Sequence, residues 1–195
     1  MFEYPPGATP LDPDEIEGLI PKHITTQGQL NEWEQLNILE AEKWVTRKRF
    51  NHINILTVHF IKDIHFKMFN KTWHWAGQFR QSNKNIGIDW PTISQAIKLL
   101  LDDSLYQLEN QIFPLDELAA RFHHKLVSIH PFPNGNGRHA RMMTDILLLS
   151  CNHERFTWGS SADLIDKSVT RDNYISALRA ADRYDYSALF TFVRS

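Results

Sequence analysis

His130-Pro-Phe-Pro-Asn-Gly-Asn-Gly-Arg-His-Ala-Arg141 is the stretch that decides the fold. One apolar helical run, Leu115, Leu118, Phe122, Leu126 and Ile129, ends at its first residue. A second run begins at Gly137 and continues to Cys151. The stretch is therefore a junction between two helices. Gly135 and Gly137 tolerate positive φ, so successive amides around Asn136 can point into one concavity and attract an anion. The helix that starts there adds the positive end of its dipole. Arg138 and Arg141 lie at i and i+3 on one face, and guanidinium groups match phosphate oxygens. His130 precedes this nest by one short loop. An imidazole with an ordinary pKa of about 6.5 suits a general base near neutral pH. Phe132, between them, is read as an anchor that buries its ring. Asp145 is placed to pair with Arg141 and orient it.

Outward from this junction the chain reads as mostly helical. Thr26 and Gln29 form a capping-box pattern. It opens a helix to about Lys48, with Leu30, Trp33, Leu36, Leu39 or Glu40, and Trp44 as its apolar stripe. Leu56 to Trp73 repeats the pattern through Phe60, Ile64, Met68 and Phe69. Pro91 opens a helix carrying Ile93, Ile97, Leu101 and Leu105. Two short helices close the chain near 170–181 and 185–193. Between Gly77 and Pro91, the run Ser82-Asn83-Lys84-Asn85 separates Phe79 from Ile86 and Ile88, which predicts two short strands around a turn. Residues 1–13 hold four of the nine prolines and read as an extended arm, followed by a short helix from Asp14 to Leu19. The expected architecture is all-α, with one small β-hairpin near 79–90. The expected division is an N-terminal arm at 1–29, regulatory in character, and one domain at 30–195.

Composition bounds the partners. The 195 residues carry a net charge of -2, which gives no support for sequence-neutral nucleic-acid binding. The basic run Arg47-Lys48-Arg49 reads as a helix end. No apolar run approaches the roughly 20 residues of a membrane span. The single cysteine, Cys151, permits no intrachain disulfide and reads as a buried small hydrophobe. A cytoplasmic location is expected. The ten histidines show no His-Glu-x-x-His spacing, which disfavours a metallohydrolase.

The stretch from His130 to Arg141 resembles the signature of Fic (Fido) domain proteins, His-Pro-Phe-x-[Asp/Glu]-Gly-Asn-Gly-Arg-x-x-Arg. Trp75-Ala-Gly-Gln-Phe-Arg80 and Tyr174-Ile-Ser-Ala-Leu-Arg179 with Asp182 are also family-like. Thr9-Pro-Leu-Asp-Pro13 resembles the subgroup called mobile mystery protein B. The resemblance implies a Fic-fold helical bundle that transfers AMP from ATP to a Ser, Thr or Tyr hydroxyl of a target protein. It implies His130 as catalytic base. Gly135, Asn136, Gly137, Arg138 and Arg141 would hold the phosphates. The hairpin becomes a flap, with Lys84, Ile86, Gly87 and Ile88 docking the target. Where the signature has a carboxylate that helps hold Mg²⁺, this chain has Asn134, whose neutral oxygen would contact the ion weakly or through water. Weak or absent turnover, or transfer of another phosphate-containing group, are the alternatives it leaves. Doc-type relatives with kinase activity lack the glycines at 135 and 137. Glu17 followed by Gly18 resembles the inhibitory glutamate motif of many Fic proteins, with Pro13 where that motif has Ser or Thr; Glu17 reads as a solvated acid of the N-terminal helix or, by the resemblance, as reaching Arg141. The subgroup further implies a helix-turn-helix or antitoxin-like partner.

Overall fold

A computed structural model describes residues 12–160, 164 and 168–195. Residues 1–11, most of the extended arm expected at 1–13, lie outside them, and Pro13 begins α1. The described residues form α1 (Pro13–Glu17), α2 (Gln27–Thr46), α3 (His52–Ile55), α4 (Val58–Phe69), α5 (Ile93–Glu109), α6 (Leu115–Ile129), α7 (Asn136–Ser150), α8 (Val169–Ala181) and α9 (Ser187–Val193). No helix among them is long and apolar enough to cross a membrane.

The capping box at the start of α2 forms as read. The Thr26 hydroxyl accepts from Gln29 N–H at 3.3 Å, and Thr26 N–H donates back to Gln29 Oε1 at 3.2 Å. Helix α4 buries Ile61, Ile64, Met68 and Phe69 against Ala140, Met143 and Ile146 of α7. Helices α5 and α6 close the other side with Ile93, Ile97, Phe122 and Leu126. A second cluster, built on Phe156, Trp158, Tyr174 and Leu189, seats α8 and α9.

The apolar stripe of α2 differs from its sequence reading. Leu36 and Leu39 are exposed, and the buried face is Leu30, Glu34, Asn37, Ile38, Ala41 and Val45. Two polar residues occupy that face because each finds partners there. Asn37 closes the end of α4. Its Nδ2 donates to Lys67 O at 3.2 Å, and its Oδ1 accepts from Lys71 N–H at 3.0 Å. The loose carbonyl and amide at that terminus are thereby satisfied, and α4 stops at Phe69 rather than Trp73. Glu34 belongs to the candidate site below.

The 79–90 segment also departs from expectation. Its two arms do not pair as strands. Arg80 N–H donates instead to Pro131 O at 2.9 Å, and Ile88 N–H to Ile129 O at 3.5 Å. The Arg80 side chain takes the place of a cross-strand ladder: Nε donates to His130 O at 2.7 Å, Nη1 to Ser82 O at 2.7 Å, and Nη2 to Ile88 O. One buried guanidinium thus satisfies carbonyls that a hairpin would have paired with amides.

Candidate functional site

The junction between α6 and α7 carries the site. His130 ends α6 in the left-handed region, φ 54° and ψ 60°. A non-glycine residue there is strained by the order of 1 kcal/mol, and such positions cluster at functional sites. Its imidazole is almost fully buried and hydrogen-bonds to the Val127 backbone. Burial first, then the Arg80 and Lys84 charges, push its pKa down to about 4. The ring is therefore neutral above that pH and able to take a proton.

Pro131 to Asn136 is a rigid hook. Phe132 is completely buried, stacked on His65 with 3.7 Å between ring centres and edge-on to His139 at 4.9 Å. The Asn136 side chain clamps the Phe132 backbone in both directions: Phe132 N–H donates to its Oδ1 at 2.9 Å, and its Nδ2 donates to Phe132 O at 2.8 Å. The amide side chain of Asn136 is therefore spent on the loop, which leaves its backbone N–H as its group for an anion. His65, fully buried, accepts from Gly77 N–H at Nδ1, 2.9 Å away. Its Nε2 must then carry the proton that reaches Asn134 O at 3.1 Å. Burial holds His65 well below the usual histidine range, in keeping with that neutral tautomer.

Gly135 caps α7 with φ 77°. First-turn amides have no intrahelical acceptor, and no side chain caps them here. A Cβ on Gly135 would lie 2.4 Å from Phe69 Cζ. On Gly137 it would meet only Arg141 Nη1 at 3.9 Å and Tyr174 Oη at 4.0 Å, which is ordinary contact. The fold itself requires glycine at 135 and does not at 137.

The two arginines have different surroundings. Arg138 pairs with Glu34 of α2, Nη2 to Oε2 at 2.7 Å, and stands over the Phe69 ring at 5.1 Å. The other Glu34 oxygen accepts from Trp73 Nε1 at 2.7 Å. Arg138 Nη1 is buried with no hydrogen-bond partner. Leaving such a donor unmet costs on the order of 1–3 kcal/mol unless a ligand oxygen takes it. Arg141 lies by the Tyr174 ring at 5.8 Å, and burial disfavours its charge. It forms no ion pair with Asp145 among the described residues. Asp145 instead accepts from Trp158 Nε1 at 3.1 Å, and burial pushes its carboxyl up to about 6. Arg138, Arg141, Asp145, Trp158 and Glu42 line a cavity of about 210 Å³ between α2 and α7.

Glu17 takes the solvated of its two readings and not the inhibitory one. It is exposed at the end of α1 and makes no ion pair among the described residues, whereas the carboxylate that reaches a signature arginine is Glu34. Lys84 is buried by Asp12 and Glu15, Ile86 is exposed, and Gly87 packs on His130. Cys151 is half-buried at the end of α7. Glu34, Arg80 and His65 were not singled out by the sequence reading. The available signal for Glu34 was a carboxylate four residues from both Leu30 and Ile38, on what proves to be the buried face.

Asn134 stands where the signature has its carboxylate. Its Oδ1 accepts from Gly135 N–H at 2.6 Å, so the one side-chain oxygen the signature offers is already turned into the loop. Among the described residues no group of three His, Cys, Asp or Glu is placed to hold an ion. A neutral, engaged amide oxygen does not fit a hard cation that selects carboxylates.

A profile of the Fic/DOC family matches residues 55–148, the span from α3 to the end of α7. Over that span the chain is similar to Fic/DOC proteins. It is 26% identical over 164 residues, 82% of its length, to protein adenylyltransferase Fic of Nematostella vectensis, covering 36% of that protein. It is 40% identical over 85 residues, 41% of its length, to a Fido domain-containing protein of Dictyostelium discoideum, covering 54% of that protein. The chain thus spans about a third to a half of these relatives. The BepC protein of Bartonella tribocorum, solved with bound AMPPNP, superposes with a TM-score of 0.71 at 19% identity, covering 98% of this chain and 93% of that one. At that identity the likeness establishes the Fic fold.

Proposed function

We propose that this Fic domain is a protein adenylyltransferase, transferring AMP from ATP to a Ser, Thr or Tyr hydroxyl of another protein. The observation that carries the reading is the pairing of a neutral, buried His130 with the uncapped start of α7 and the unpaired Nη1 of Arg138. His130 takes the hydroxyl proton. The freed oxygen bonds to the α-phosphorus while the bond to the bridging oxygen breaks, and pyrophosphate leaves. The amides of Asn136 and Gly137 face the α- and β-phosphates. Arg138 and Arg141 offset the charge that grows on the leaving group. The relatives named adenylyltransferases support the choice of AMP. The target protein, and a helix-turn-helix partner suggested by the mobile mystery protein B likeness, rest on the sequence alone.

Incubation with ATP labelled at the α- or the γ-phosphate tests the reading. Protein-bound label from the α position alone is expected. Label from γ alone would identify a kinase. No label from either would leave a nucleotide-binding module, the alternative that the engaged Asn134 favours.

Two variants sharpen this. Gly137→Ala is expected to stabilise the fold by about 0.5–1 kcal/mol, since alanine is the better helix former. The same methyl group would stand where phosphate approaches, so nucleotide affinity should fall by at least about tenfold, or about 1.4 kcal/mol. Thermal melting and nucleotide titration read the two effects separately, and an unchanged affinity would remove Gly137 from the cradle. Asn134→Asp supplies the missing carboxylate. It is expected to lower the Mg²⁺ concentration giving half-maximal transfer several-fold; an unchanged metal response would show that position 134 does not set it.

A further inference from the structure

The N-terminal helix is held in an unusual way. Helix α1 has five residues and buries none of them. A helix of that length does not stand on its own in water. Apart from Ile16, which touches the core, its attachment is polar. Lys84 Nζ lies 2.7 Å from Asp12 Oδ2 and 2.5 Å from Glu15 Oε2. Ser82 Oγ donates to the same Asp12 oxygen at 2.8 Å, and Trp75 Nε1 donates to Glu15 O at 2.9 Å. Under these two carboxylates the Lys84 side chain is only 3% exposed. Lysine is almost never so buried without paired anions.

The lysine belongs to the 79–90 loop, and that loop covers the base. A Cβ on Gly87 would lie 2.7 Å from His130 Cβ. A chain segment held at Lys84 therefore runs beside His130, where the proposed reaction takes place. The chain's own segment there offers two acids three residues apart on one turn, with Asp12 N–H donating to Glu15 Oε2 at 2.8 Å. Hydrogen bonding to Lys84 and Ser82 keeps Asp12 below the usual carboxylate range, so Asp12 stays charged at neutral pH.

We propose that Lys84 and Ser82 form a recognition subsite for an acidic segment of the protein to be modified, and that Asp12 and Glu15 occupy this subsite in cis. The proposal rests on the adenylyltransferase reading for what docks there. Exchange is easy because one pair of carboxylates replaces another and no core contact of α1 is lost beyond Ile16. The target class is a segment with two carboxylates at i and i+3 close to the acceptor hydroxyl. Targets without them compete poorly with α1.

A peptide of residues 10–20, fluorescently labelled, tests this without ATP. Binding is measured by anisotropy to the full chain and to its Asp12→Asn/Glu15→Gln double variant. The double variant should bind at least tenfold more tightly than the unaltered chain. A control peptide carrying Asn and Gln at the two acidic positions should not bind the double variant, and Ser82→Ala added to it should weaken the acidic peptide severalfold. Equal binding by both proteins, no binding by the double variant, or equal binding of the neutral peptide overturns the proposal. The readout uses no group transfer, so a failed labelling experiment would sink the adenylyltransferase reading and leave this result to be judged on its own.

Discussion

Gly135→Ala is expected to lower the melting temperature by roughly 4–20 °C and to abolish detectable transfer. Two costs combine. Alanine at φ 77° enters a left-handed region that disfavours a Cβ by about 1–2 kcal/mol. The new Cβ would also sit 2.4 Å from Phe69 Cζ, and overpacking a filled core costs about 1–3 kcal/mol. Phe69 is fully buried, and its ring lies under the Arg138 guanidinium at 5.1 Å. Displacing the ring therefore moves the arginine proposed to bind phosphate as well as the start of α7. Gly137→Ala, two residues away, is expected to raise stability. Calorimetry on both variants checks the pair. A fall of less than about 2 °C for Gly135→Ala would mean that the helix start is not packed as described, because about 1 kcal/mol moves the midpoint by 2–4 °C in a chain of this size.

His130→Asn is expected to reduce transfer by about 10²–10⁴-fold while nucleotide binding stays within a factor of three. Asparagine is the test residue because it tolerates the left-handed backbone that His130 adopts. A loss of binding in parallel with the loss of transfer would assign His130 to the nucleotide and not to the proton. The pH profile adds a second readout. With its pKa near 4, the imidazole is already neutral at pH 5, so transfer should hold from pH 8 to about 5 and fail below. A midpoint near 6.5 would mean that the working enzyme exposes this histidine.

Buried histidines also set the response of stability to acid. His123, held down to about 3, and His130 and His139, each at about 4, are joined by His65, which burial lowers further than the ordinary range. The unfolded chain takes up these protons near pH 6.5 and the folded chain does not. Their contribution is complete above that pH and is lost as pH falls from 6.5 through 4. Each contributes a slope of about 1.4 kcal/mol per pH unit within its own window. Asp145, pushed up to about 6, works in the opposite sense and offsets part of one histidine. The midpoint of urea unfolding should therefore drop steeply between pH 6.5 and 4.

The helices were legible because each is written in local terms. Thr26 and Gln29 cap α2, the apolar spacing in α6 and α7 survives intact, and the glycine-rich junction fixes where one helix ends and the next begins. The phase of α2 was not legible, because Glu34 and Asn37 stand at core positions and their partners, Arg138 with Trp73 and Lys71 with Lys67, are 30 or more residues away. The loop at 79–90 has the alternation of a hairpin, yet a single arginine bonds its carbonyls and leaves no ladder to form.

The sequence by itself determined the match to the Fic signature, the helical class and the positions proposed for the base and the two arginines, since these depend on residue type and short spacing. Tertiary structure alone decided which acid meets which cation. Glu34 and not Glu17 reaches the signature, and Asp12 and Glu15 cover Lys84. It also decided that Asn134 faces its own loop. Ion pairs and buried polar contacts form between groups brought together by packing, and no local pattern records which distant partner will remove a charge from water.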